Sequence, residues 1–150
     1  MGRIDTTRVI VGGLVAGVVL NVGEYLLNGV LLRERWEAAM ETLGREPYAG
    51  ADIMVMVVMT LLLGVVLVWF YAAMRPRFGP GPKTAVITAL FGWLLLYVWP
   101  FFWNSLTGLF PSDLMLIMTV WGLFELPVAV MAGAWLYKEE EPPREPVAGV

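Results

Sequence analysis

Two carboxylic acids stand inside long apolar runs of this 150-residue sequence, Glu24 and Glu125. The chain has no histidine and no cysteine. That removes the commonest general base at neutral pH, thiol chemistry, haem ligation by His or Cys and His- or Cys-based zinc sites. Carboxylates, amides, hydroxyls, Arg/Lys and aromatics remain. An ionised carboxylate within hydrocarbon costs at least about 2.5–3.5 kcal/mol on insertion scales. No Lys or Arg lies in the apolar runs to pair with either acid. Glu24 and Glu125 are therefore expected to share a proton or to bridge a cation. The plainer alternative is a structural hydrogen bond between helices, worth about 0.6 kcal/mol on average. No nucleophile–base pair and no metal-ligand cluster appears, so no catalytic residue, resident metal or cofactor is expected.

Around Glu24 lies a polar and small-residue stripe: Gly13, Gly17, Asn21, Glu24 and Asn28, at i, i+4, i+8, i+11 and i+15. At 3.6 residues per turn these share one helix face. Gly122, Glu125, Ala129, Ala132 and Gly133 form a counterpart around the second acid. The two stripes are expected to face each other, or to face a partner chain, with the small residues allowing close backbone approach. Glu24 is eight residues from Leu32 and Glu125 eleven from Leu114, about 12 and 17 Å at 1.5 Å per residue, so their depths are compatible with contact. Pro127 removes the helical partner of the Leu123 carbonyl. That carbonyl, with Asn21 or Asn28, would complete a small oxygen-rich site. The Gly13/Gly17 pair also makes a homo-oligomer plausible.

The elements that must position these groups follow from hydropathy. Of the residues, 59% are hydrophobic, against about 45–50% in soluble domains, and the excess falls in four blocks, at about 9–32, 53–71, 85–103 and 114–137. About 20 apolar residues cross a bilayer core as a helix, and none of the blocks alternates as a barrel strand would. The expected architecture is all-α, a polytopic membrane protein with a bundle of four transmembrane helices. Between the first two spans, Trp36, Ala39, Met40 and Leu43 fall at i, i+3, i+4 and i+7. This predicts a short external amphipathic helix on the membrane surface, a cap on the bundle end being the alternative. From Arg75 to Lys83, prolines and glycines predict a stiff non-helical turn. Residues 138–150, with Glu139–Glu141 and three prolines, read as a disordered cytoplasmic tail.

Arg3, Arg8, Arg75, Arg77, Lys83, Lys138 and Arg144 fall on one side of the four spans, and Arg33, Arg35 and Arg45 on the other. The side with seven is expected in the cytoplasm, with both termini. Trp93, Tyr97, Trp99, Phe101, Phe102, Trp103 and Phe110 gather in and just beyond the third block, where Pro100 bends it. They read as an aromatic belt plus core, or, at Trp99, Phe102 and Trp103, as a pocket for a lipid or other hydrophobic ligand. Membrane lipids are the expected partners. No basic patch tracks a phosphate backbone, so no nucleic acid is expected.

The string from Tyr71 to Ala85, Tyr-Ala-Ala-Met-Arg-Pro-Arg-Phe-Gly-Pro-Gly-Pro-Lys-Thr-Ala, resembles that of small bacterial four-helix membrane proteins, as does Leu20-Asn-Val-Gly-Glu-Tyr-Leu-Leu-Asn28. The resemblance implies a place in the bacterial inner membrane and carries no established activity. Small multidrug transporters share the helix count and a Glu in the first helix. The 20-residue connector, the second Glu and the missing motifs separate this chain from them. Three readings follow: a small transporter or ion-binding protein using Glu24 and Glu125, a non-catalytic subunit or scaffold, and, weakest, an enzyme on lipids.

Overall fold

The computed structural model describes residues 4–137, which contain helices and no strand. Helix α1, Thr6–Glu24, runs without a break into a π-helical stretch, Tyr25–Leu31. The short α2 is Arg33–Thr42 and the long α3 is Ala51–Phe78. Helix α4, Pro82–Trp93, continues through a second π stretch, Leu94–Val98, into α5, Trp99–Thr107; α6 is Ser112–Leu136. Taken as continuous rods, four helices are long and apolar enough to cross a membrane: Thr6–Leu31, Ala51–Phe78, Pro82–Thr107 and Ser112–Leu136. The expected tail, 138–150, and the charges Arg3, Lys138 and Arg144 lie outside the described residues.

The turn expected from Arg75 to Lys83 is shorter than its composition predicts. Helix α3 continues through Pro76 to Phe78, because a proline near the end of a helix sacrifices one hydrogen bond where little helix remains to be broken. Only Gly79–Gly81 is left as connector, and φ of +84° and +118° at its two glycines belongs to a region that side chains avoid. The Gly81 N–H donates to Tyr71 Oη at 3.1 Å, and Thr84 Oγ1 donates to the Gly79 carbonyl at 2.6 Å. Pro82, with no N–H to lose, opens α4. The turn lies at the end of the bundle where Asp5 N meets Tyr137 Oη at 3.4 Å.

Glycines set the spacing around α1. A Cβ on Gly64 of α3 would fall 2.3 Å from Gly17 N and 2.4 Å from the Gly13 carbonyl oxygen. Gly13 and Gly17 are thus covered by α3 and not by α6, which corrects the expected pairing of the two stripes. The face that α1 turns to α6 is Gly12, Ala16 and Gly23: Gly12 meets the Gly133 carbonyl, Ala16 meets Gly133, and Gly23 meets Glu125. Gly13, Gly17 and Asn21 all meet α3, at Val65, Leu61 and Val57, so this part of the stripe lies on the α3 side from its start. Because α3 occupies the Gly13/Gly17 face, that face no longer supports a homo-oligomer.

At the other end, α2 buries Ala39 and Met40 and half-buries Trp36, while Leu43 stays at the rim. Leu27, Leu32, Ala39 and Leu114 form a small core there, with Trp36 and Phe110 in edge contact at 5.4 Å. The apolar face of α2 is turned onto the bundle, as the capping alternative requires. Arg35 pairs with Asp113 of α6. The other face of the bundle is apolar and open: Met54, Val55, Val58 and Met59 of α3 are all exposed.

Candidate functional site: a tyrosine between two carboxyls

Glu24 ends α1, Tyr97 lies in the π stretch of the third long helix, and Glu125 is near the middle of α6. Tyr97 Oη stands 2.9 Å from Glu24 Oε1 and 3.2 Å from Glu125 Oε2. The two acids are therefore brought together, with a phenol between them. Asn28 Nδ2 donates to Glu24 Oε2, and Trp36 Nε1 of α2 donates to Asn28 Oδ1 at 2.8 Å. The result is an unbroken chain of polar contacts: Glu125, Tyr97, Glu24, Asn28, Trp36.

Local backbone geometry makes the chain possible. A π turn bonds i to i+5 and holds more residues than an α turn, so residues four apart stand more nearly above one another. Asn28 is thereby set over Glu24. In the third long helix the π stretch ends at Val98, two residues before Pro100. Pro100 cannot donate to the Leu96 carbonyl and its ring crowds it, which attributes the bend there to a widened turn and not to a break. Tyr97 projects from that turn, its ring pressed on Gly122, where a Cβ would fall 2.6 Å from the ring.

Glu125 is 8% exposed. Its Oε1 has no hydrogen-bond partner, and neither does Trp121 Nε1, one helical turn away and facing the same carboxyl without closing a bond. Oε1 lies against Gly23, where a Cβ would stand 1.9 Å from it. Gly23→Ala should leave the bundle folded, because only the flexible end of Glu125 must move. It should lower stability by about 1–3 kcal/mol as overpacking, read by thermal unfolding in detergent, and should part Glu125 from Tyr97.

The remaining candidates fall elsewhere. Asn21 donates to the Gly17 carbonyl at 2.9 Å and to the Val57 carbonyl at 3.3 Å. It fastens α1 to α3 and stands outside the carboxyl cluster. Trp99, Phe102 and Trp103 are 69%, 63% and 64% exposed and are turned outward, as belt residues are. Gly122, Ala129 and Gly133 are all buried on α6, Gly133 against Gly12 and Gly122 beneath Tyr97. Among the described residues no group of three or more carboxylates is placed to hold a metal. Tyr97 was missed because an aromatic in an apolar run reads as belt or core. Its depth was the available signal: six residues from Trp103, about 9 Å, not far from the depth of Glu24, with a hydroxyl that needs a partner when buried.

Fold and site together define an all-helical bundle, with four helices long enough to cross a membrane, around a carboxyl–phenol–carboxyl group. No protein-family model, no curated protein and no solved structure matches this chain.

Proposed function

We propose that this chain is a multi-pass membrane protein whose working group, Glu24–Tyr97–Glu125, holds one exchangeable proton, as a small proton-coupled transporter or proton-binding protein would. The observation that carries this reading is the position of Tyr97 Oη, within hydrogen-bond range of both carboxyls. A phenol has one proton, so it serves one carboxylate. Both contacts are hydrogen bonds only when the other carboxyl carries a proton and gives it to the phenol oxygen. Glu24 already accepts from Asn28 as well, which suits the ionised partner. Glu125, more deeply buried and without a donor to Oε1, suits the protonated one. The arrangement favours a proton over a larger cation, since neither Asn21 nor a third carboxylate joins the group.

The membrane is proposed to be the bacterial inner membrane, with the end carrying Arg8, Arg75, Arg77 and Lys83 in the cytoplasm. The polar chain then leads outward to Trp36, beneath α2.

A scaffold reading has its own support. The cavities lined by Tyr71 to Tyr137 and by Glu34 to Pro47 touch neither Glu24 nor Glu125, so the group is also suited to clamp helices together. Infrared difference spectroscopy across a pH titration separates the two. The proton reading expects a protonated-carboxyl C=O band in the purified protein that titrates reversibly and is lost in Glu125→Gln while helicity is kept. A band that never titrates while the fold persists, or one that survives both Glu125→Gln and Glu24→Gln, sinks it.

A further inference from the structure

We propose that the cavity between the start of α4 and the end of α6 binds an anionic phospholipid. The proposal rests on placement in a membrane and not on the proton reading. The cavity measures about 580 Å³, within the range of ligand sites. Its polar end is formed by Arg75, Tyr71 and Gly81, and its apolar wall by Ala85, Met131 and Trp135. Arg75 is held over the ring of Tyr137 at 5.3 Å, which fixes a positive charge at the cavity edge. Tyr71 Oη accepts from Gly81 N, so its own proton points to an acceptor other than the turn. Arg77 and Lys83, both exposed, flank the same Gly79–Gly81 turn. Trp135, 79% exposed, stands at the level where indoles meet headgroups.

Charge complementarity selects the occupant. Any lateral groove in a bilayer is filled by lipid chains, and the apolar wall would accept them from any phospholipid. The cations at one end discriminate by headgroup: each Lys or Arg near an anionic surface favours it about fivefold. A zwitterionic headgroup offers the same phosphate but brings a cation of its own toward Arg75.

The test uses the purified full chain in detergent and native mass spectrometry with phosphatidylglycerol and phosphatidylcholine of identical chains. Wild type is expected to bind the first at least about fivefold more tightly. Arg75→Gln and Lys83→Gln should each remove most of that preference. Met131→Trp, at a half-open wall position, should fill the groove and reduce binding of both lipids. If Arg75→Gln does not fold, Lys83→Gln and Met131→Trp carry the test. Equal binding of the two lipids by wild type overturns the proposal. So does binding of both lipids left unchanged in Met131→Trp, which would assign the effect to diffuse surface charge outside the groove. Loss of the Glu125 infrared band has no bearing on either result.

Discussion

Gly64→Leu is expected to yield no folded bundle, and Gly64→Ala to be close to that limit. Even one methyl at this position would lie 2.3 Å from Gly17 N and 2.4 Å from the Gly13 carbonyl oxygen. Both are backbone atoms, so no rotamer change relieves the overlap; α1 and α3 must move apart. Overpacking that side chains can absorb costs about 1–3 kcal/mol. Separating two backbones exceeds that range and approaches the whole stability of a typical domain, about 5–15 kcal/mol. Gly92→Ala is the matched control. Its new methyl would meet Leu67 Cδ2 at 3.0 Å and Leu126 Cδ1 at 3.6 Å, both far ends of flexible side chains. Thermal unfolding in detergent, followed by circular dichroism, should place Gly92→Ala near wild type and Gly64→Ala far below it. A Gly64→Leu protein melting like wild type would show that α1 does not pack on α3 through these glycines.

The second large effect is expected from Tyr97→Phe. The substitution keeps the ring on Gly122 and deletes only the hydroxyl. The ionised carboxyl then loses its donor, and the protonated one loses the oxygen that accepts its proton. Each buried polar atom left unsatisfied costs about 1–3 kcal/mol, so a loss of about 2–6 kcal/mol is expected near neutral pH. The loss should shrink on acidification, when both acids are neutral and can bond to each other directly. The sign follows from linkage: a folded state that keeps a proton which the unfolded chain releases loses stability as pH rises. Melting temperature should therefore fall more steeply with rising pH in Tyr97→Phe than in wild type. A flat difference across pH would mean that the phenol packs against the acids without mediating a proton between them.

Much of the architecture was readable because bilayer-length hydropathy is a coarse signal. The four apolar blocks coincide with the cores of the four long helices, although α3 reaches seven residues past the expected 71, to Phe78. The meeting of Glu24 and Glu125 was also legible, since charge avoidance and depth both constrain it. Neighbour assignment was not. Gly13, Gly17 and Asn21 were placed with Glu24 because they share a stripe, but a helix between two partners splits such a stripe, and only the partners' own shapes decide where. Gly64 of α3 is the partner that decides, and a lone glycine in an apolar run carries little signal. The π turns were invisible too. Nothing in Tyr25–Leu31 distinguishes a widened turn from an ordinary one, yet that turn sets Asn28 over Glu24. Tyr97 was counted with its aromatic neighbours, where one hydroxyl among several rings is easily overlooked.

The glycine contacts and the widened turns occupy different halves of the bundle. Toward the chain ends, Gly12 on Gly133 and Gly64 on Gly13 and Gly17 press main chain against main chain, a seam with no side chain able to swing aside. Beyond Glu24 and around Tyr97 two of the long helices widen into π turns, and the side chains of Leu27, Leu32, Ala39 and Leu114 fill the space beneath α2. One half of the bundle is thus joined through main chain and the other through side chains. The bundle thereby carries a built-in polarity that its near-uniform hydropathy conceals.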